Sequence, residues 1–541
     1  MLSLSHYLVV LLSLLIFLTV FPLRRRRRLV ARLRGPPRPS LLLGHEWQLR
    51  NQVEKPGDLE MQWLRQYGGA YRIGGCFGQD VLILSDPKAL QYIFHTSGYR
   101  FPKTADSDLA ARSLFGQGMV TVAGKIHQCQ RKVLNPAFSA AQLHRYLILF
   151  QTRRPPLLTD RLKSDIKING NDEKVVDVLE WIKRIALDII GITSFRYHFN
   201  ALDDGEQQAE LKDTLHNLII ESQTSPSSIE LLYPALWRIL PEFASDMLEG
   251  IPLRVTRRFH RFRESSQRVA RGIFQKQLKV AAQDEEKDIV NLLALSYLNQ
   301  DAKKRMSDDE IYSQLATFIF AGHDTTSNTT SWLLYELSRH PDVQRRIHHE
   351  ISEMRERDPS SSDYDSMPIL NAAIKETLRF HPFIATLNRI SSREDVLPLS
   401  EPVTASDGSI ISEIPIPKGQ VVVASIYIYN RLPSVWGEDA DKWNPDRFLQ
   451  PQRHNQTPLG VYANLAALRK CDSVLIQDGY GYSVLEMQVI VTELLSSFKF
   501  SLPEEGFEVM HAFGAQAISP VVKGKTKEGE QVPLRVTVCK L

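Results

Sequence analysis

With 541 residues, 43% of them hydrophobic, the chain can bury a large core, and a net charge of +4 at this length argues against a general nucleic-acid surface. Four cysteines, Cys76, Cys129, Cys471 and Cys539, are too few and too scattered for a disulfide framework, and none stands in a CxxC pair that would mark a zinc site. The basic charge that matters is local.

Leu2 to Leu23 carries no formally charged residue with His6 neutral. As a helix it would span roughly 33 Å, against a hydrocarbon core of ~30 Å. Arg24 to Arg28 follow at once, which predicts a transmembrane signal anchor over residues 1–23 with the remainder of the chain held on the cytoplasmic side. A cleaved signal peptide would carry its charge before the apolar run and small residues after it, and this segment has neither. Residues 24–50, basic and then rich in proline (Pro36, Pro37, Pro39), read as a linker, and residues 51–541 as one folded domain.

Trp63 to Tyr67 reads as a helix end, and Ala70 to Ile73 with Val81 to Leu84 as two strands joined through Gly74, Gly75 and Gly78. Asp86-Pro87 opens another helix. The run His127 to Lys132 makes a basic, polar helix start, which suits a carboxylate-bearing cofactor and equally a solvated face. Val176 to Gly191 is an amphipathic helix, with Ile182, Ile185, Leu187 and Ile190 on or near its buried side. Leu231 to Leu240 and Phe243 to Ile251, apolar and bounded by proline, suit a substrate entrance or a membrane surface. Arg254 to Arg271 reads as a basic helix with an exposed face, Gln283 to Lys287 as a loop, and Ile289 to Leu298 as a helix.

Ser307 and Glu310 form a capping box ahead of a helical pattern through Ile311, Leu315, Phe318, Ile319, Leu333, Leu334 and Leu337 that stops at Pro341. The middle of this long helix, Ala321-Gly322-His323-Asp324-Thr325-Thr326, places a glycine, an acid and two alcohols where a core helix is normally apolar. Gly322 alone costs about 1 kcal/mol against alanine. Threonine hydroxyls that bond back to earlier carbonyls can bend a helix. Two readings stand: a polar kink in a core helix, or a groove that holds a diatomic molecule beside a metal and passes protons to it.

Asn371 to Phe380 carries Glu376 and Arg379 at i and i+3, on one helical face. Alternating runs at Val396 to Leu399 and Val421 to Ile428 read as strands, with Pro415, Pro417 and Gly419 marking turns, and Ser483 to Phe498 as the last strong helix. The class that follows is mainly α with a small β region.

Three motifs in this order, Ala321 to Thr326, Glu376-x-x-Arg379 and Pro445-Asp446-Arg447-Phe448, resemble those of the cytochrome P450 family of haem-thiolate monooxygenases, most closely its membrane-anchored eukaryotic, fungal-type members. The resemblance implies a helical prism behind one N-terminal transmembrane helix, and it implies haem as cofactor. Glu376, Arg379 and Arg447 look like the family's structural charged triad, and Asp324 and Thr325 like its proton-delivering acid and alcohol. Arg131 and Arg389 fall where the family places arginines on the haem propionates, with His127 in the position of an aromatic partner. Implied partners are O2, a small lipophilic substrate and a separate NADPH-cytochrome P450 reductase-like donor, since no GxGxxG fingerprint is present. The implied location is the endoplasmic reticulum membrane, single-pass, and the implied pocket draws on the loop after Phe101, Leu231 to Ile251, the groove before Thr325, and Ala512 to Ile518.

One element departs from the family pattern. The loop before the last helix keeps its flanks, Gly460 to Leu465 and Gly479 to Met487, but its centre, Ala466 to Asp478, has none of the family's glycines or its arginine at the expected positions. Gln477 stands at the expected ligand position, and Cys471, six residues earlier, is off register. A boundary error in the coding sequence and a real loss of the ligand both explain a foreign centre between intact flanks. The first leaves an ordinary monooxygenase, the second a catalytically silent relative that binds a lipophilic ligand or partner enzyme at the membrane.

Overall fold

The computed structural model describes residues 30–539 except 53–55, 153–154, 168–171, 204–227, 239–252, 282–285, 302–304, 355–359, 451–456, 458, 461, 464, 466–478 and 514–516. Most of the described chain is helical, and the strands among the described residues form four small sheets. In chain order the strands are β1 (Ala70–Gly74), β2 (Asp80–Leu84), β3 (Glu173–Asp177), β4 (Thr386–Ile390), β5 (Asp395–Thr404), β6 (Ile410–Ile416), β7 (Val421–Ser425), β8 (Phe498–Ser501), β9 (Val509–Phe513), β10 (Ile518–Val522) and β11 (Pro533–Val538).

β1 and β2 pair antiparallel around the glycine-rich turn, as their spacing predicts, and the turn brings Phe77 to a φ of 54°. β7 joins β2 in parallel and β4 joins β7 antiparallel, giving the order β1-β2-β7-β4. The Val81–Leu84 and Val421–Ala424 runs therefore lie side by side in the middle of this sheet. Central strands need such continuous apolar runs. The strand predicted to reach Ile428 stops at Ser425, whose hydroxyl accepts the Ile428 N–H and starts a helical turn over Ile426–Tyr429. β5 pairs with β6, β9 with β10, and β11 lies between β3 and β8.

The helices that build the site are α1 (Asp58–Tyr67), α2 (Gly124–Leu134), α3 (Ala140–Thr152), α4 (Val178–Phe195), α5 (Arg254–Ala281), α6 (Asp308–Arg339), α7 (Pro341–Met354), α8 (Pro368–Phe380) and α9 (Tyr480–Ser497). α4 starts two residues later than the predicted Val176, because β3 pairs with β11 as far as Asp177. The Asp177 carboxylate then accepts the N–H groups of Leu179 and Val532, capping the helix and tying it to the last strand's approach.

α6 is the axis. Its capping box is formed, with Glu310 N–H donating to Ser307 Oγ and Ser307 N–H donating to Glu310 Oε2 at 2.9 Å. It runs 32 residues, about 48 Å, and ends at Arg339 ahead of Pro341. α4, α5, α8 and α9 pack around it, and Leu315, Phe318, Ile319, Leu333, Leu334 and Leu337 join one large apolar core with residues of α4 and α9. A second core lies under the β1-β2-β7-β4 sheet.

No helix among the described residues is long and apolar enough to cross a membrane. The predicted anchor, residues 1–23, and Arg24 to Arg28 lie outside the described residues.

Candidate active site

The polar centre of α6 does not break the helix. Thr325 Oγ1 donates to Ala321 O at 2.6 Å, Thr329 Oγ1 to Thr325 O at 2.9 Å, and Thr330 Oγ1 to Thr326 O at 2.8 Å, so these three hydroxyls bond back to the helix's own carbonyls. The helix runs through this stretch without a break. Between Ile311 and Ser338 every residue is buried except Phe320, Ala321, Gly322 and Thr325, which are half-buried. Ala321 and Thr325 are one turn apart and share a face, so the helix opens on the side they line. Gly322 allows α4 to approach closely there: a Cβ would lie 2.9 Å from Ile190 Cδ1. Because that atom ends a flexible side chain, we expect Gly322→Ala to change stability by less than about 1 kcal/mol, the helix gain offsetting the displaced methyl; urea denaturation measures it. At the edge of the opening Phe320 packs on Phe115 (5.3 Å between centroids) and Phe262 (5.9 Å), an apolar aromatic wall.

Asp324 points elsewhere. It is 1% exposed and pairs at 3.2 Å with the Lys183 ammonium of α4, which also pairs with Glu530 just before β11. The two carboxylates hold Lys183 protonated against the opposing effect of burial. His323, buried beside them, is pushed down to about 3 by desolvation first and by the nearby Lys183 charge second, so it is neutral. Lys183 was legible in principle: it lies on the Leu187 and Ile190 stripe of α4, where a lysine needs a buried partner.

The three predicted triad members converge. Arg379 and Glu376 form a two-pronged pair at 2.7 and 2.8 Å with both side chains 0% exposed, and Arg447 Nε approaches the same carboxylate at 3.1 Å. Asn444 N–H adds a fourth bond at 2.7 Å. Arg379 also donates to the carbonyls of Asn430, Ala440 and Lys442, and Arg447 to those of Trp436 and Asp439, so the two guanidiniums stitch the segment 430–447 to α8.

His127 is buried on α2 and Arg131 is half-buried one turn later. α2 is tied to the start of α6 by Gln130, which donates to Glu310 at 3.0 Å and accepts from Gln314 at 2.7 Å. Arg389 lies on β4, bridged through its backbone to Lys103; its buried guanidinium donates to Asn388 O and sits 5.5 Å from the centre of the Phe94 ring. Cys471 and Gln477 lie outside the described residues.

A family model described as cytochrome P450 matches residues 34–513. Cytochrome P450 monooxygenase 91 of Postia placenta is 33% identical over 529 residues, covering 93% of each chain. Cytochrome P450 monooxygenase 81 of the same organism is 30% identical over 96% of each chain, and cytochrome P450 monooxygenase claQ of Ampulloclitocybe clavipes 30% over 94% of each. Helical content, the Glu376 triad and a match of this extent agree, and the chain belongs to the cytochrome P450 family, whose cofactor is haem.

Proposed function

We propose that this chain is a membrane-anchored haem monooxygenase that inserts one oxygen atom from O2 into a small lipophilic substrate, with electrons from a separate NADPH-cytochrome P450 reductase-like donor. Residues 1–23 anchor it in the endoplasmic reticulum membrane, residues 24–50 link the anchor to the domain, with Val30 and Leu33 already buried in the second core, and residues 51–541 form the cytoplasmic catalytic domain. The observation that carries this reading is the opening of an otherwise buried helix at Ala321 and Thr325 beside the Phe320 wall.

The described residues fit haem. A flat macrocycle with acidic edges needs open space against a small-residue face and buried cations at its rim, and the half-buried Ala321 and Thr325 and the buried guanidinium of Arg389 are of that kind. Arg131, Arg389 and His127 would hold the propionates. Bound haem supplies the activation of O2. Thr325 Oγ1 presents a hydroxyl at the groove, and Asp324, the neighbouring acid, is held on Lys183 and would serve the groove only on leaving that pair. Delivery of a proton requires each within hydrogen-bond reach of the next, directly or through one water. The aromatic wall excludes water and favours an apolar guest.

A second reading is carried by one observation, Gln477 at the ligand position: the chain is then a catalytically silent P450-fold protein that binds a lipophilic ligand or partner enzyme at the membrane. Haem-loaded protein, reduced and exposed to carbon monoxide, decides between them. Monooxygenation predicts the red-shifted Soret band of thiolate ligation, supplied by Cys471, and Cys471→Ala removes it. A spectrum without that band sinks the first reading for this chain. If Gln477→Cys then creates the band, the fold is competent and only the ligand has been lost.

A further inference from the structure

Three side chains that this chemistry leaves unused, two buried and one half-buried, form one hydrogen-bonded line between elements far apart in sequence. Glu336 belongs to α6, His381 follows α8, and His511 lies in β9. His381 Nε2 is 2.9 Å from Glu336 Oε1, and His381 Nδ1 is 2.7 Å from His511 Nε2. The His381 ring stacks on Trp332 at 3.9 Å with 12° between planes, and the side chains of Glu336 and His381 are 1% and 3% exposed.

The proton positions follow from the chemistry of the line. The Glu336 carboxylate accepts from Arg339 at 3.3 Å and faces His340 at 3.5 Å, so it is an acceptor. His381 must then carry its proton on Nε2, which leaves Nδ1 to accept, and His511 must donate from Nε2. A second proton on His381 would set N–H against N–H at this separation.

The surroundings oppose that second proton. Facing the two imidazoles are Tyr335, Arg339 and His340 at the α6 end, Arg379 on α8, and Tyr427 and Arg431 beyond β7. Burial first, and then the Arg431, Arg339 and Arg379 charges, hold His381 well below the ordinary range. Burial, His381 and Arg431 do the same to His511.

His511 faces α6, while its neighbours Met510 and Ala512 line a small crevice with Leu49, Arg50 and Pro56 on the other side of the hairpin. The far end of the hairpin is held by Ile518 N–H on Phe383 O at 2.7 Å and by the Ile384–Ala517 bridge. Trp332 lies seven residues, two turns, beyond Thr325 on the same face of α6, so the line sits beside the groove.

We propose that Glu336, His381 and His511 form a latch that positions the β9–β10 hairpin against the open face of α6, and that acid releases it. The sign follows from linkage. Both imidazoles titrate lower in the folded protein than the ordinary 6.5, so the latch is complete above that value and weakens as pH falls below it, because the released form binds the protons. The opening equilibrium then rises about tenfold per pH unit for each proton taken up. The latch is independent of haem.

Hydrogen–deuterium exchange on the full-length protein, corrected for intrinsic rate, tests it between about pH 7.5 and 5.5. Protection of residues 509–513 and 518–522 is expected to fall tenfold or more in the wild type, with β1–β2 unchanged. His511→Gln keeps a neutral donor and acceptor but removes one of the two titrating rings, so the pH step should shrink by about tenfold with protection at the higher pH retained. His381→Gln should behave alike. Hairpin protection that is flat with pH in the wild type overturns the proposal, as does a step of wild-type size in both variants. The wild-type profile decides even if a variant does not fold.

Discussion

Arg379→Leu is expected to cost of order 3–5 kcal/mol, because it strands a buried carboxylate. Glu376 would keep Arg447 and the Asn444 N–H, but with its own side chain 0% exposed it has no water to replace the lost two-pronged partner. The carbonyls of Asn430 and Ala440 lose a donor at the same time. Set against a total stability of roughly 5–15 kcal/mol, the change leaves little folded protein at physiological temperature. Arg447→Leu should cost less, since that side chain is 10% exposed and Arg379 still satisfies Glu376. Urea midpoints of the two variants measure the difference. Equal midpoints, or an Arg379→Leu loss below about 1 kcal/mol, would remove the triad from its role as the clamp between α8 and 430–447.

The second large effect is expected at Lys183→Met, which leaves Asp324 and Glu530 buried without their common cation. The cost is again of order 3–5 kcal/mol at neutral pH. Adding Asp324→Asn and Glu530→Gln to Lys183→Met removes both stranded charges and should recover most of the loss. Asp324→Asn alone should be mild, because Lys183 retains Glu530. A triple variant no more stable than Lys183→Met would mean that the lysine acts by packing its stem and not by its charge.

The sequence made α6 legible because its signals are local: a capping box at one end, a proline at the other and a 3.6-residue apolar period between. The triad was legible as three separate motifs. What joins them was not, since the carbonyls of 430, 440 and 442 carry no side-chain signature. Gly322 reads in the sequence only as a cost to the helix, whereas in the structure it serves the close approach of Ile190. β3, β9 and β11 were missed for one reason. Each is short, and β3 and β11 find their partners across most of the chain, so neither alternation nor turn residues announced them. The Glu336 line shares that fault. A carboxylate on an apolar helix face was visible, but nothing nearby in sequence pointed to His381 or His511.

The parallel pairing of β2 with β7 reaches into the life of the nascent polypeptide. Gln420 at the head of β7 donates to Asp80 O, at the start of β2, across a sequence separation of 340 residues. At a ribosomal rate of ~5–20 residues per second, β2 waits roughly 17–70 s for that neighbour. Throughout that interval Val81, Leu82, Ile83 and Leu84 present an apolar, unpaired edge to solvent, the kind of edge that a holding chaperone covers.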